Sequence, residues 1–164
     1  MKEIPTTRGF LAKVDDEDYE RVMQFKWAAN VNGNTVYATR CIRKPNGDRT
    51  KQSLHRFVLN LPAGKKPQVD HEDRNGLNCQ KHNLRMATHA QNQGNQKKRK
   101  GTSSKYRGVT WHKKDLRWQA SIEIKGKCKY LGQFAKEKEA ARAYDAAAKE
   151  VYGEFANLNF EVNP

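Results

Sequence analysis

Val69-Asp70-His71, then Asn83-Leu84-Arg85, then Asn92: this interrupted stretch decides how the rest of the chain is read. An acid and an imidazole stand side by side, and two carboxamides follow 12 and 21 residues after the histidine. Adjacent residues on a regular strand point to opposite faces, so Asp70 and His71 can share a site only where the strand ends or twists. The turn-forming run Glu72-Asp73-Arg74-Asn75-Gly76 supplies that end. Further on, Thr88-His89-Ala90-Gln91 has the spacing of a capping box, with Thr at the N-cap and Gln at N3. A helix that starts there carries Asn92 in its first two turns.

Working outward, residues 1–60 read as a small antiparallel β meander. Residues 9–14 suit a strand. Asp15-Asp16-Glu17-Asp18 then opens a short helix to about Gln24, with its acids at the positive end of the helix dipole. Residues 26–31 and 35–43 flank Asn32-Gly33-Asn34, a hairpin turn signal, and Pro45-Asn46-Gly47-Asp48 turns into a strand over 49–59. On the other side, residues 96–105 (Gln-Lys-Lys-Arg-Lys-Gly-Thr-Ser-Ser-Lys) are polar and basic, as a linker or a phosphate-contacting arm would be. Residues 106–112 suit a strand. Residues 117–124 alternate, with Trp118, Ala120, Ile122 and Ile124 on one face and Arg117, Gln119, Ser121 and Glu123 on the other. Lys125-Gly126-Lys127 turns into a third strand at 128–133. Residues 136–152 form an Ala-rich helix with Ala140, Tyr144, Ala147 and Val151 along one stripe, closed by Gly153. That stripe is expected to pack on the Trp118/Ile122 face and to leave the opposite sheet face free for a partner.

The composition fits a binder of polyanions. The chain has 164 residues, with 32 Lys+Arg against 18 Asp+Glu, a net charge of +14. Such a charge favours phosphate contacts and counterion release. A mean hydropathy of −1.04 means that the cores are small. No apolar run reaches the ~18–20 residues needed to span a membrane, and the N-terminus lacks a signal-peptide core. Cys41, Cys79 and Cys128 are far apart and form no CxxC pair. They support neither a disulfide framework nor a four-cysteine zinc site. Cys79 reads as an incidental thiol, and a reducing, cytoplasmic compartment is the expectation.

The central residues suit hydrolysis of a phosphodiester, which needs an attacking water, charge stabilisation and a stabilised leaving oxygen. Asp70 offers a hard anionic oxygen and Asn92 a neutral amide oxygen. Together they suit Mg²⁺, or another divalent ion such as Mn²⁺, which prefers oxygen ligands and keeps waters in its shell. His71 titrates near neutrality and can act as general base. His82 and His89 read as exposed loop or helix residues. His55 leans to a structural role, with Arg56 beside it placed for a phosphate.

Val-Asp-His at 69–71, Asn-Gly-Leu-Asn at 75–78, Asn-Leu-Arg-Met-Ala-Thr at 83–88 and Gln-Asn-Gln-Gly-Asn at 91–95 together resemble the HNH family, in its phage and intron homing-endonuclease branch. The resemblance covers roughly residues 50–96, and the N-terminal meander resembles that branch's leading segment. It implies the ββα-metal fold, with His71 as general base, Asp70 and Asn92 as metal ligands, and Asn83 bracing the loop and orienting His71. The last position is Asn92 rather than a second histidine, which fits the single-Mg²⁺ HNN variant; Asn95, one turn away, is the alternative ligand. A phage or mobile-element protein acting in a bacterial host is the corresponding expectation.

Tyr106-Arg107-Gly108-Val109, Tyr130-Leu131-Gly132-Gln133-Phe134, the Ala-rich run 140–148 and Ala156-Asn157-Leu158-Asn159-Phe160 resemble the AP2/ERF DNA-binding domain. The resemblance implies a three-stranded antiparallel sheet, backed by one helix, that reads duplex DNA in the major groove, which admits a β element. Arg107, Trp111, Lys113, Arg117, Gln119, Lys127 and Lys129 are the expected contacts, with Lys97, Lys98, Arg99 and Lys100 from the linker. Thr110, His112 and Lys113 stand where the plant pattern has more Arg. Tyr144 and Asp145 are expected in packing and helix–strand hydrogen bonding.

The expected architecture is therefore α+β: a small β meander leading into a ββα-metal unit over 1–96, a basic linker over 97–105, and an AP2/ERF-like domain over 106–164. The expected activity is Mg²⁺-dependent cleavage of double-stranded DNA, with no membrane partner. Tethering two weak DNA binders raises their effective concentration, so loss of 101–164 is expected to leave weak, less selective cutting. Two other readings are a non-catalytic AP2-type transcription regulator and an RNA-binding or RNA-cleaving protein.

Overall fold

Asp16, Glu17 and Asp18 fill the first turn of helix α1 (Asp16–Met23), where negative charge is stabilised by the helix dipole. The computed structural model describes residues 1–98, 101–124 and 126–160. Arg99 and Lys100, two of the expected linker contacts, and Lys125 of the expected turn lie outside the described residues. The chain is α+β and divides into two units, Met1–Thr88 and His89–Pro164.

In the first unit, β1 (Lys2–Pro5) pairs antiparallel with β2 (Leu11–Val14). A second sheet has the order β3 (Ala28–Asn32), β4 (Thr35–Arg43), β5 (Arg49–Ser53), all antiparallel. The tight β3–β4 turn requires Gly33, whose φ of +58° lies where other residues are strained. The expected strand over 49–59 is corrected. It stops at Ser53, and Leu54–Val58 forms one helical turn, α2. The physical reason is burial: Leu54 and Val58, four apart, both enter the core completely. That core gathers Ile4, Ala12, Val14, Val22, Trp27, Ala38, Leu54, Val58, Cys79 and Leu84. Each fully buried aliphatic side chain contributes roughly 1.5–3 kcal/mol. Cys79 is therefore a core residue rather than an incidental thiol, and burial raises its pKa, with Asp73 adding to the rise. A third antiparallel pair joins β6 (Gln68–His71) to β7 (Leu84–Ala87).

In the second unit, helix α3 (His89–Asn95) is followed by a three-stranded antiparallel sheet: β8 (Val109–His112), β9 (Arg117–Ile124) and β10 (Lys127–Phe134), with β9 central. Helix α4 (Glu137–Tyr152) covers one face. Its buried stripe is Ala140, Ala141, Tyr144, Ala148 and Tyr152, so the expected Ala147 and Val151 flank the contact instead of forming it. Helix α3 falls within the second unit, His89–Pro164. Among the described residues no helix is long and apolar enough to cross a membrane.

Candidate functional site

Strand β6 ends at His71, and the turn begins there with the Arg74 amide donating to the His71 carbonyl at 2.9 Å. Asp70 and His71 are both buried, each only 6% exposed. The β6–β7 register sets Asp70 opposite Arg85, whose Nε donates to Asp70 Oδ2 at 2.9 Å. A charge-assisted bond of this kind holds the carboxylate in one orientation.

The His71 ring lies 4.9 Å from His55 and 5.8 Å from Tyr37. Burial holds the His71 pKa down to about 4, against an upward pull from Asp73 and Asp70. His55 is lowered to about 3, first by burial and then by the charges of His71 and Arg56. A buried imidazole is thus kept neutral near pH 7. The Tyr37 pKa is raised by burial and by the Asp70 charge.

The loop between β6 and β7 is tied by side-chain amides. Asn83, buried, donates to Asp73 Oδ1 at 3.0 Å and to the Asn78 carbonyl at 2.8 Å, and its own oxygen accepts the Asp73 amide at 3.0 Å. Asp73 also accepts from the Asn75 amide and the Asn78 side chain, each at 2.8 Å. Burial opposes its charge, but these bonds win and lower its pKa. The Cys79 amide donates to Lys13 O and the Lys13 amide to Leu77 O, both at 2.8 Å, which pins the loop to β2. Gly76 is needed for close approach: a Cβ there would lie 2.6 Å from the Val36 carbonyl oxygen and 2.7 Å from the Tyr37 ring.

Of the residues singled out from sequence, Asp70, His71 and Asn83 stand together in the first unit. Asn92 and Asn95 stand on α3 in the second, half-buried and buried. His82 and His89 are exposed. Arg56 is not placed for a phosphate: it is buried, and its guanidinium donates to the carbonyls of Pro62, Pro67 and Lys66 at 2.7, 2.5 and 2.8 Å. Sequence reasoning missed Tyr37, Asp73 and Arg85. The Asp73-x-Asn75-Gly76 turn was a usable signal for Asp73. Nothing local pointed to Tyr37, which arrives from another sheet.

In the second unit the register sorts the expected contacts by face. Trp111 pairs with Trp118, Lys129 with Ile122 and Lys127 with Ile124. Directly opposed residues share a face, so Trp111, Lys127 and Lys129 fall on the helix side and not on the free face where sequence reasoning put them. Trp111 and Trp118 meet edge-on at 4.9 Å, and Lys127 and Lys129 are exposed along the edge strand. Arg117 and Gln119 do lie on the free face, with Cys128, Tyr130 and Gln133 of β10 opposite Glu123, Ser121 and Gln119. Lys113 is exposed in the β8–β9 turn. Lys97 and Lys98 lie in coil following α3, and Lys98 donates to the Thr102 hydroxyl.

Arg107 is bonded within the protein. Its guanidinium donates to the carbonyls of Gln93, Gly94 and Gln96 at the end of α3. Its backbone amide donates to Asn159 Oδ1 at 2.6 Å, and Asn159 in turn donates to the Asp145 carboxylate, as does the Phe160 amide. Tyr144 is buried against Gly108.

Residues 104–154 match the AP2 domain family. An AP2-like ethylene-responsive transcription factor of Arabidopsis thaliana is 54% identical over 63 residues, 37% of this chain and 13% of the relative. An APETALA2-like protein of Oryza sativa subsp. indica is 46% identical over 61 residues, 37% of this chain and 14% of the relative. No solved structure matches the chain significantly. An HNH endonuclease of Acanthamoeba polyphaga mimivirus, itself uncharacterized, is 34% identical over 156 residues, 93% of this chain and 76% of the relative. Likeness of that extent runs through the acid–imidazole strand end and the sheet beyond it alike, and by it the chain belongs to the HNH endonuclease family, with an AP2 domain in its C-terminal part.

Proposed function

We propose that the chain is a Mg²⁺-dependent endonuclease, of homing or phage type, that hydrolyses phosphodiester bonds in duplex DNA, and that its AP2 part sets where it cuts. The observation that carries this reading is His71: a buried imidazole, kept neutral at the end of β6, next to Asp70 and to a loop tied down by Asn83. In this reading His71 takes a proton from the attacking water as the new P–O bond forms and the bond to the leaving oxygen breaks. Asn83 keeps the 72–83 loop, and with it the strand end, in place. Tyr37 and His55 pack beside the imidazole and limit its rotation.

Asp70 and Asn92 are the residues that would hold the ion. One carboxylate and one carboxamide are hard oxygen donors of the kind Mg²⁺ takes together with waters. Among the described residues no cluster of three or more His, Cys, Asp or Glu offers the donor set of a zinc site. A bound Mg²⁺ or Mn²⁺ supplies charge stabilisation for the phosphate and the leaving oxygen. The chain order β6, β7, α3 fits the ββα-metal arrangement that the family resemblance implies. The nuclease motif then runs through residue 96, with 97–105 as basic linker and 106–164 as DNA-binding domain. Arg117 and Gln119 are assigned to base or phosphate contacts from the free sheet face. Lys113, Lys127, Lys129 and Trp111 are assigned to its margins, and Lys97, Lys98, Arg99 and Lys100 to flanking phosphates.

Incubating the purified protein with plasmid and linear duplex, with and without Mg²⁺, tests the reading. Metal-dependent cutting is expected. Duplex binding with no cutting at any Mg²⁺ or Mn²⁺ concentration would leave a non-catalytic AP2-type DNA-binding regulator, which the plant matches favour. Preference for structured RNA in competition would overturn both.

A further inference from the structure

Helix α3 has seven residues, too few to be stable alone in water. Its last carbonyls have no partner within the helix, and other parts of the second unit supply them. Arg107 donates to the Gln93, Gly94 and Gln96 carbonyls. The Asn157 amide donates to Gly94 O at 3.1 Å, and its side chain donates to Gln96 O at 3.0 Å. A guanidinium at this end of a helix also meets the negative pole of its dipole. Gly94 lies against Tyr152 so closely that a Cβ would stand 2.5 Å from the ring Cγ, and the Gln93 side chain donates to Glu123 at 3.3 Å. Every one of these partners comes from the AP2 match or from the segment just after it.

We propose that Arg107 is a positioning residue: by clamping the C-terminal end of α3 it fixes Asn92, two residues before Gly94 and assigned above to the ion. The proposal rests on the nuclease reading above. It removes Arg107 from the DNA contacts and gives it a task within its own unit, holding α3 against the AP2 part.

The test uses the full-length chain with Arg107→Ala, Arg107→Lys and Gly94→Ala. Gly94→Ala attacks the same seat without changing charge, and alanine is the better helix former, so a loss there is a loss of docking. Three quantities are read: amide hydrogen exchange across 89–95, the Mg²⁺ midpoint for single-turnover cleavage of saturating duplex, and the salt dependence of duplex binding without divalent ion. Arg107→Ala and Gly94→Ala are expected to speed exchange in α3 while β6 and β7 keep their protection. Both should raise the Mg²⁺ midpoint roughly 10–100-fold, the loss typical of removing a group that orients a metal ligand. Arg107→Lys, which keeps one donor, is expected to recover part of it. An unchanged Mg²⁺ midpoint, with the salt slope of binding reduced by about one, the signature of a lost phosphate contact, overturns the proposal. If the wild-type protein cuts nothing while exchange in α3 still rises in the variants, the nuclease reading has failed, and the clamp's metal role goes with it although the docking stands.

Discussion

In the N-terminal unit the reactive side chains are buried, and the loop beside them is held by amide and carboxylate hydrogen bonds. In the C-terminal unit Arg117 and Gln119, assigned to recognition, stand on an open sheet face, and the order beneath them comes from an Ala-rich helix packed on Val109, Ala120 and Trp118. The contrast follows from the chemistry proposed for each part. An imidazole that must remain neutral and fixed needs burial, and burial obliges every neighbouring polar group to find a partner. A surface that meets phosphates and base edges must stay exposed, so its rigidity has to come from behind. The first unit should therefore respond sharply to the loss of single polar groups, and the second to changes in shape beneath the sheet.

The largest effect expected is on the first side of that contrast. His71→Ala should lower single-turnover cleavage by about 10²–10⁴-fold, the usual contribution of a general base, while duplex affinity measured without metal stays close to wild type. Comparable turnover by this variant would remove His71 as the base. Beneath the sheet, Gly108 has φ +72°, and a Cβ there would lie 1.9 Å from Tyr144 Cδ2. Gly108→Ala should cost about 3 kcal/mol in urea unfolding, at the upper end of overpacking losses. Gly76→Ala, with normal φ but a Cβ 2.6 Å from a carbonyl oxygen, should fall lower in the same range. The reverse order would mean that the 72–83 loop is the stiffer of the two regions.

A pH series separates the units further. His71 and His55 have folded pKa values of about 4 and about 3, both below the ordinary histidine value. The unfolded chain therefore binds more protons than the folded one as pH falls below about 6.5, so acid destabilises the first unit. The expected slope is about 1.4 kcal/mol per pH unit for each proton, with no contribution above neutrality. Flat stability between pH 6.5 and 4.5 would contradict the burial of these rings. The smallest effect is expected on the open face: Arg117→Ala should leave stability within about 0.5 kcal/mol and lower the salt slope of duplex binding by about one. A large loss of stability would show that the face is less independent of the core than its exposure implies.

The elements that depend on short-range chemistry were legible without coordinates. The acids of α1, the Asn32-Gly33-Asn34 turn, the alternation over Arg117–Ile124 and the acid–imidazole pair at a strand end are all settled within a few residues, by dipole, φ preference and side-chain period. The residues whose neighbours are distant in the chain were not. Leu54–Val58 turned helical because two aliphatic side chains four apart both found the core. Asp70 met Arg85 through a register set across the 72–83 loop, and Trp111, Lys127 and Lys129 changed face because the pairing of three strands, and not the pattern within any one, decides which side a residue takes. Arg107 looks in sequence like any basic residue beside a DNA-reading strand. Only the fold, which brings the last carbonyls of a seven-residue helix within reach of its guanidinium, shows that it holds protein.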